Sequence, residues 1–154
     1  KIDKKIIVKT LPKIRYIGRV DYLDKGKLTK KLNKNEKILL DGCHSEASGK
    51  NLANYLKTLN VPIVGIWSMT KHKNPHRFIK QFQGVFKRII TIPIKNESAA
   101  LSNKLLLKIA KKNNFKAEMA NDFEDALRKI SSKETKVCVA FGSLYSLREI
   151  LNKN

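Results

Sequence analysis

From Glu36 onward, short apolar runs alternate with stretches in which apolar residues return every three or four positions. The first pattern predicts buried strands and the second amphipathic helices. Strands are predicted over residues 38–41, 62–67, 88–92, 116–120 and 137–141, and helices over 48–59, 75–82, 102–113, 122–130 and 144–151. Regular alternation of this kind is the signature of βα units, in which each helix crosses right-handedly to the next parallel strand. The predicted fold class is α/β, a mainly parallel sheet of about five or six strands flanked by helices.

Local chemistry supports the helix boundaries. Leu105, Leu106, Ile109 and Ala110 build one apolar stripe, and Ser102 stands where an N-cap is needed. Asp122 and Asp125 precede Ala126, Leu127 and Ile130, which reads as a capped start with acidic residues in the first turn. Residues 1–35 differ, being richer in charge and carrying the turn signals Asp24-Lys25-Gly26 and Asn33-Lys34-Asn35. There, 16–23 alternates enough to predict an antiparallel edge strand, and 3–11 reads as a short helix or a linker.

A length of 154 residues with 42% hydrophobic content suits one domain with one substantial core. No run of about 18 apolar residues occurs, and the Lys-rich start lacks the apolar stretch of a signal peptide. A soluble, cytoplasmic protein is the expectation, with no membrane partner. Cys43 and Cys138 lie far apart with no CxxC or zinc-type spacing, which predicts free thiols in a reducing compartment. The net charge of +20 raises nucleic acid as a partner. Against it, the cations are mostly lysines scattered over every segment, with no interleaved aromatics and no zinc-finger or RRM signature. A solvated Lys-rich surface, or a polyanionic small molecule, accounts for the charge, and nucleic acid is not the expected partner.

The segment from Leu39 to Gly49 carries most of the candidate chemistry. It runs from a predicted strand through Asp41-Gly42-Cys43-His44 into a helix, and ligands of open α/β sheets bind at the carboxyl ends of strands. Asp41 there could accept ribose hydroxyls or help hold a cation, and His44 could donate to an anion. Both residue types also serve as plain caps or solvated turn residues.

Asp41-Gly42-x-His44 after an apolar strand resembles the DGAHN motif of folylpolyglutamate synthases, members of the Mur ligase superfamily. Three further elements follow the family's order: Tyr16-Ile17-Gly18-Arg19 resembles WPGR, Lys71 follows the second strand where the family has Lys-Asp, and Phe141-Gly142-Ser143-Leu144-Tyr145 resembles a closing GSLY. The resemblance implies a Rossmann-like C-terminal domain of a folylpolyglutamate synthase/dihydrofolate synthase, covering residues 16–154, with 1–15 as a linker or the end of an N-terminal domain. It further implies an enzyme that uses ATP and Mg2+ to activate a folate or dihydropteroate carboxylate as an acyl phosphate, which L-glutamate then attacks. The P-loop pattern GxxxxGK[ST] does not occur in the chain, so the N-terminal P-loop ATPase domain is the implied partner, in cis or in trans. The chain alone is expected to be inactive.

By the same resemblance Arg19 and Asp41 are cofactor-binding residues, His44 and Ser143 catalytic ones, and Lys71 and Ser143 substrate-binding ones. Each has a blander alternative: a surface cation for Arg19 and Lys71, an ordinary N-cap for Ser143. The chain departs from the family where it has Ser45 and Glu46 in place of Asn and Pro, Tyr16 and Ile17 in place of Trp and Pro, and His72 in place of Asp. His72 and His76 are four apart but lack a nearby third ligand, so no metal site is expected, and Trp67 and Met69 read as packing residues. The rival readings are a degenerate, non-catalytic ligase remnant and a basic nucleic-acid-binding α/β module.

Overall fold

The computed structural model describes residues 3–10 and 16–154. Six strands form one sheet in the order β1-β2-β6-β3-β4-β5: β1 (Asp21–Leu23), β2 (Glu36–Asp41), β3 (Ile63–Trp67), β4 (Arg88–Thr91), β5 (Ala117–Met119) and β6 (Lys136–Phe141). All neighbours are parallel except β1, which pairs antiparallel with β2 at the edge. The helices are α1 (Lys4–Thr10), α2 (Glu46–Lys57), α3 (Pro75–Lys80), α4 (Asn103–Lys112), α5 (Phe123–Ile130) and α6 (Leu144–Lys153).

Alternate strand residues feed two separate cores, as a pleated sheet covered on both faces requires. Leu39, Trp67, Val137, Val139 and Phe141 face α2, α3 and α4, whereas Ile38, Leu40, Cys138 and Ala140 face α5 and α6. The expected α/β class and mainly parallel sheet are therefore observed. Cys43 belongs to the first core and Cys138 to the second, both buried and free. Burial pushes the Cys43 thiol well up, helped by the Asp41 carboxylate, and pushes that of Cys138 to about 12, so neither is a ready thiolate.

Capping chemistry sets the helix starts. Ser102 Oγ accepts from Leu105 N at 3.2 Å and Asp122 Oδ1 from Asp125 N at 2.9 Å, the two caps read from the sequence. Helix α2 begins two residues before the predicted 48, because Ser45 and Ser48 form a reciprocal capping box. The predicted strand over 16–23 is shortened to three residues. Gly18 (φ +73°) and Val20 (φ +47°) take left-handed backbone there, and extension cannot pass through them. In the 3–11 stretch the helix alternative is observed, as α1, while Leu11 lies outside the described residues. Among the described residues no helix is long and apolar enough to cross a membrane.

Candidate active site at the carboxyl edge of the sheet

Asp41, Phe141, Trp67, Thr91 and Met119 pair in register across five strands, so the loops that follow them emerge along one edge. Strand β2 leads into α2 on one face and β6 into α6 on the other. Loops that part in this way open a crevice between adjacent strand ends. A cleft of about 320 Å³ occupies it, lined by His44 after β2, Thr70, His72 and Lys73 after β3, and Gly142 to Tyr145 after β6. Among the described residues no carboxylate lines it. In the core between the sheet and α3 the rings of Trp67, Phe78, Phe82 and Phe141 pack at centroid distances of 4.9 to 6.5 Å, and β3 and β6 run from this cluster into the loops of the cleft.

Asp41 is buried, and both its oxygens are engaged. Oδ1 accepts from Cys43 N at 2.8 Å and Oδ2 from Val20 N at 2.9 Å. Gly42 N donates to Gly18 O at 2.8 Å, so the end of β2 clamps the loop that carries Arg19. A β-branched residue at positive φ costs about 1–2 kcal/mol, and the Asp41 carboxylate offsets that strain at Val20. Arg19 itself is exposed, with Nη1 lying over Gly42 and donating to Gly18 O at 3.4 Å. Leu144, a cleft residue, packs against the same glycine, so the guanidinium stands at the cleft's rim.

A difference in stability between two variants follows. Arg19→Ala should leave the unfolding free energy from urea melts within about 0.5 kcal/mol of the parent, as for other exposed substitutions. Asp41→Ala should cost about 2–3 kcal/mol, because two backbone donors lose a charged acceptor. Equal midpoints for the two variants would contradict the clamp.

Ser143 occupies the N-cap position of α6, yet its side chain makes no capping bond. Its hydroxyl is buried and without a hydrogen-bond partner among the described residues. An orphaned hydroxyl at the start of a helix whose first N–H groups are also open is an anion-binding arrangement. His44 is held by a 3.0 Å contact from Nδ1 to Gly42 O, leaving Nε2 for a ligand. Glu46, where the family has Pro, is exposed on α2 and turns to α3, with Arg77 Nη1 at 4.0 Å and Gln81 Nε2 at 3.5 Å.

Lys71 is not among the cleft residues. It is exposed, and its backbone N donates to Ala99 O at 2.7 Å, which with the Thr70–Ala100 bridge ties the loop after β3 to the segment before α4. Its neighbours His72 and Lys73 line the cleft instead. Lys73 and Thr70 were not predicted, although the polar run Lys71-His72-Lys73 was visible in the sequence. His72 precedes α3 and His76 lies on it near Asn113 Nδ2 at 3.3 Å, so the two imidazoles do not share a helical face. No group of three or more His, Cys, Asp or Glu suited to a metal is present among the described residues.

The family profile of the dihydrofolate synthetase C-terminal domain matches residues 24–153. The chain belongs to that family. The matched span contains Asp41, His44, Lys71 and Ser143, while the Tyr16 to Arg19 element lies before it. In structure the chain is similar to the Escherichia coli FolC complex with DHPP and ADP, at TM-score 0.77 and 13% identity over 99% of this chain and 34% of that one. It is also similar to Mycobacterium tuberculosis folylpolyglutamate synthase complexed with ADP and AMPPCP (TM-score 0.77, 15% identity, 100% of this chain, 36% of that one). Folylpolyglutamate synthase from Thermotoga maritima aligns at TM-score 0.72 and 22% identity, over 99% of this chain and 34% of that one. The chain thus spans about a third of the length of these relatives, and at such identities the likeness is one of fold. No curated protein matches the sequence significantly.

Proposed function

We propose that this domain is the glutamate-side half of an ATP-dependent ligase that joins L-glutamate to a folate or dihydropteroate carboxylate. The orphaned Ser143 hydroxyl at the N-terminus of α6, in a cleft that no carboxylate of the described residues lines, is the observation that carries this reading. Relatives in the same fold have been crystallised with ADP, with AMPPNP and Mn, and with L-glutamate.

The division of labour follows from the side chains. Ser143 Oγ and the first N–H groups of α6 hold a glutamate carboxylate. His44, fixed by Gly42 O, orients the amino acid beside them, with Lys73 adding positive potential and His72 a further ring N–H. Arg19, a permanently charged fork of donors, is the residue that would hold nucleotide phosphates. Asp41 acts through Arg19, by fixing its loop. ATP, when bound, supplies the phosphoryl group that activates the acceptor carboxylate. The described residues offer no cluster fitted to Mg2+, whose ligands would come from the P-loop domain. That domain, in cis or in trans, is the partner required.

The test is ATP- and glutamate-dependent ligation onto a reduced folate, by this chain alone and mixed with the N-terminal ATPase domain of a homologous ligase. Turnover in the mixture only supports the reading. Silence in both, given demonstrated docking and an active control pair, refutes it in favour of a remnant that has lost catalysis.

Ser143→Ala adds a discriminating variant. An ordinary N-cap loses about 1 kcal/mol on replacement by Ala, but here no capping bond exists to lose. The melting temperature should therefore hold or rise slightly, while KM for glutamate in the assembled enzyme rises about tenfold or more. A loss of stability with unchanged KM would return Ser143 to a purely structural role.

A further inference from the structure

Seven of the lysines dispersed along the sequence gather on one face of the sheet. Helices α2, α3 and α4 pack side by side on one face of the sheet, over the core that includes Leu52, Phe78 and Leu106. Helix α4 presents Lys104, Lys108, Lys111 and Lys112 to solvent. Helix α2 adds Lys50 and Lys57, and α3 adds Arg77 and Lys80, all exposed. The three helices contain one carboxylate, Glu46, and it is the partner of Arg77. Among the described residues the lysines of these helices make no ion pair.

The opposite face is built differently. Helices α5 and α6 mix both signs, and their cations are largely spoken for: Arg128 pairs with Asp125, Lys129 with Glu118, and Lys153 with Asp122 and Glu124. The sheet therefore separates a neutralised face from a strongly cationic one. An unneutralised field of this kind favours a polyanion.

We propose that the α2–α4 face binds the phosphate backbone of a nucleic-acid duplex, without reading its sequence. The interleaved side chains favour this partner over a lipid surface. Asn51, Asn54 and Thr58 are exposed beside the lysines, and such amide and hydroxyl groups are phosphate and sugar ligands. A membrane-surface helix needs an apolar face to insert, and of the large hydrophobic residues on these helices only Leu105 is exposed. No Phe, Tyr or Trp of the three helices is exposed, so the face has no large aromatic platform for stacking single-stranded bases. Along α4, Lys104, Lys108 and Lys111 recur about once per turn, giving a row of point charges along the helix. This inference is independent of the ligase reading, because none of these residues lines the cleft.

The experiment is fluorescence anisotropy of labelled duplexes, DNA and RNA in parallel, titrated with the chain between about 50 and 200 mM salt, the range over which counterion release is read. Two triple variants carry the same change in net charge: Lys104→Glu/Lys108→Glu/Lys111→Glu on the face, and Lys34→Glu/Lys133→Glu/Arg148→Glu away from it. A parallel Lys→Gln triple at 104, 108 and 111 covers the case in which charge reversal impairs folding. The expected result is at least tenfold weaker binding by the face triple and a salt slope reduced by about 2–3, near 0.9 for each phosphate no longer neutralised. The control triple should change affinity less than about twofold, the scale of exposed charges acting at a distance. Equal losses in both triples would mean bulk charge alone, and overturn the proposal. So would no duplex binding at 50 mM salt, or binding only to anionic lipid vesicles run alongside.

Discussion

Replacing Lys136 with methionine should cost about 3–5 kcal/mol, the penalty for leaving a buried charge without its partner. Lys136 and Glu36 are register neighbours at the amino ends of β6 and β2, and Nζ lies 3.1 Å from Glu36 Oε1. Both side chains are removed from solvent, at 5% and 0% exposure, which separates this pair from the surface ion pairs elsewhere. Glu36 also accepts from Asn33 N and Ser132 N, both at 2.9 Å, so it stitches the turn before β2 to the loop before β6. Burial raises the Glu36 carboxyl's pKa, but those two backbone donors and Lys136 outweigh it and hold the group below its ordinary value. A carboxylate with a depressed folded pKa stabilises the fold above its unfolded pKa, and that contribution disappears as pH falls through the folded value. The deficit of Glu36→Gln against the parent should accordingly be constant near neutrality and shrink below about pH 4.3. Urea melts across pH test both statements. Joining Glu36→Gln to Lys136→Met should recover part of the single-variant loss, since no unpaired charge then stays buried. A Lys136→Met loss under about 1 kcal/mol, or a pH-independent Glu36→Gln deficit, would show that the pair is solvated in solution.

That pair marks where sequence reading stops. The two partners are about a hundred positions apart, and neither local propensity nor apolar period connects them. What is local was legible: Ser102 and Asp122 as caps, the strand that ends in Asp41, and the glycine turn before α6 all follow from neighbours within a few residues. The 16–23 stretch misled because its alternation suggested extension, whereas the geometry is decided by Asp41 reaching back to Val20 N. Ser143 was visible as a candidate, but a free hydroxyl and a capping one look identical in sequence. Only the surroundings of its Oγ separate them. The gathering of lysines on α2–α4 is likewise a product of topology. Successive parallel crossovers in one direction place successive helices on one face, so residues spaced through more than sixty positions become neighbours.

Gly142→Ala should be the most damaging small substitution at the site, at about 2–5 kcal/mol, together with loss of the glutamate binding proposed for the assembled enzyme. Gly142 has φ +101°, where an L side chain adds about 1–2 kcal/mol. A Cβ there would also come within 2.2 Å of Ser68 O and 2.8 Å of the Trp67 ring. Ser68 O is backbone at the end of β3, and Trp67 is wedged against Phe78 and Phe141, so neither can yield cheaply. Forced overpacking of this kind adds about 1–3 kcal/mol. Gly84 supplies the internal control, because it too has positive φ, +72°, but a Cβ there meets nothing within 4 Å. Gly84→Ala should therefore show the backbone cost alone. The difference between the two melting curves isolates the close approach to Ser68 and Trp67, which places Ser143 and the first turn of α6 over the cleft. If the two alanine variants melt together, the approach of the β6 loop to β3 is looser than the geometry states, and the carboxyl edge does not hold Ser143 rigidly. If Gly142→Ala alone falls and takes glutamate affinity with it, the absence of a single Cβ is what brings the helix terminus and the β3 loop together into one site.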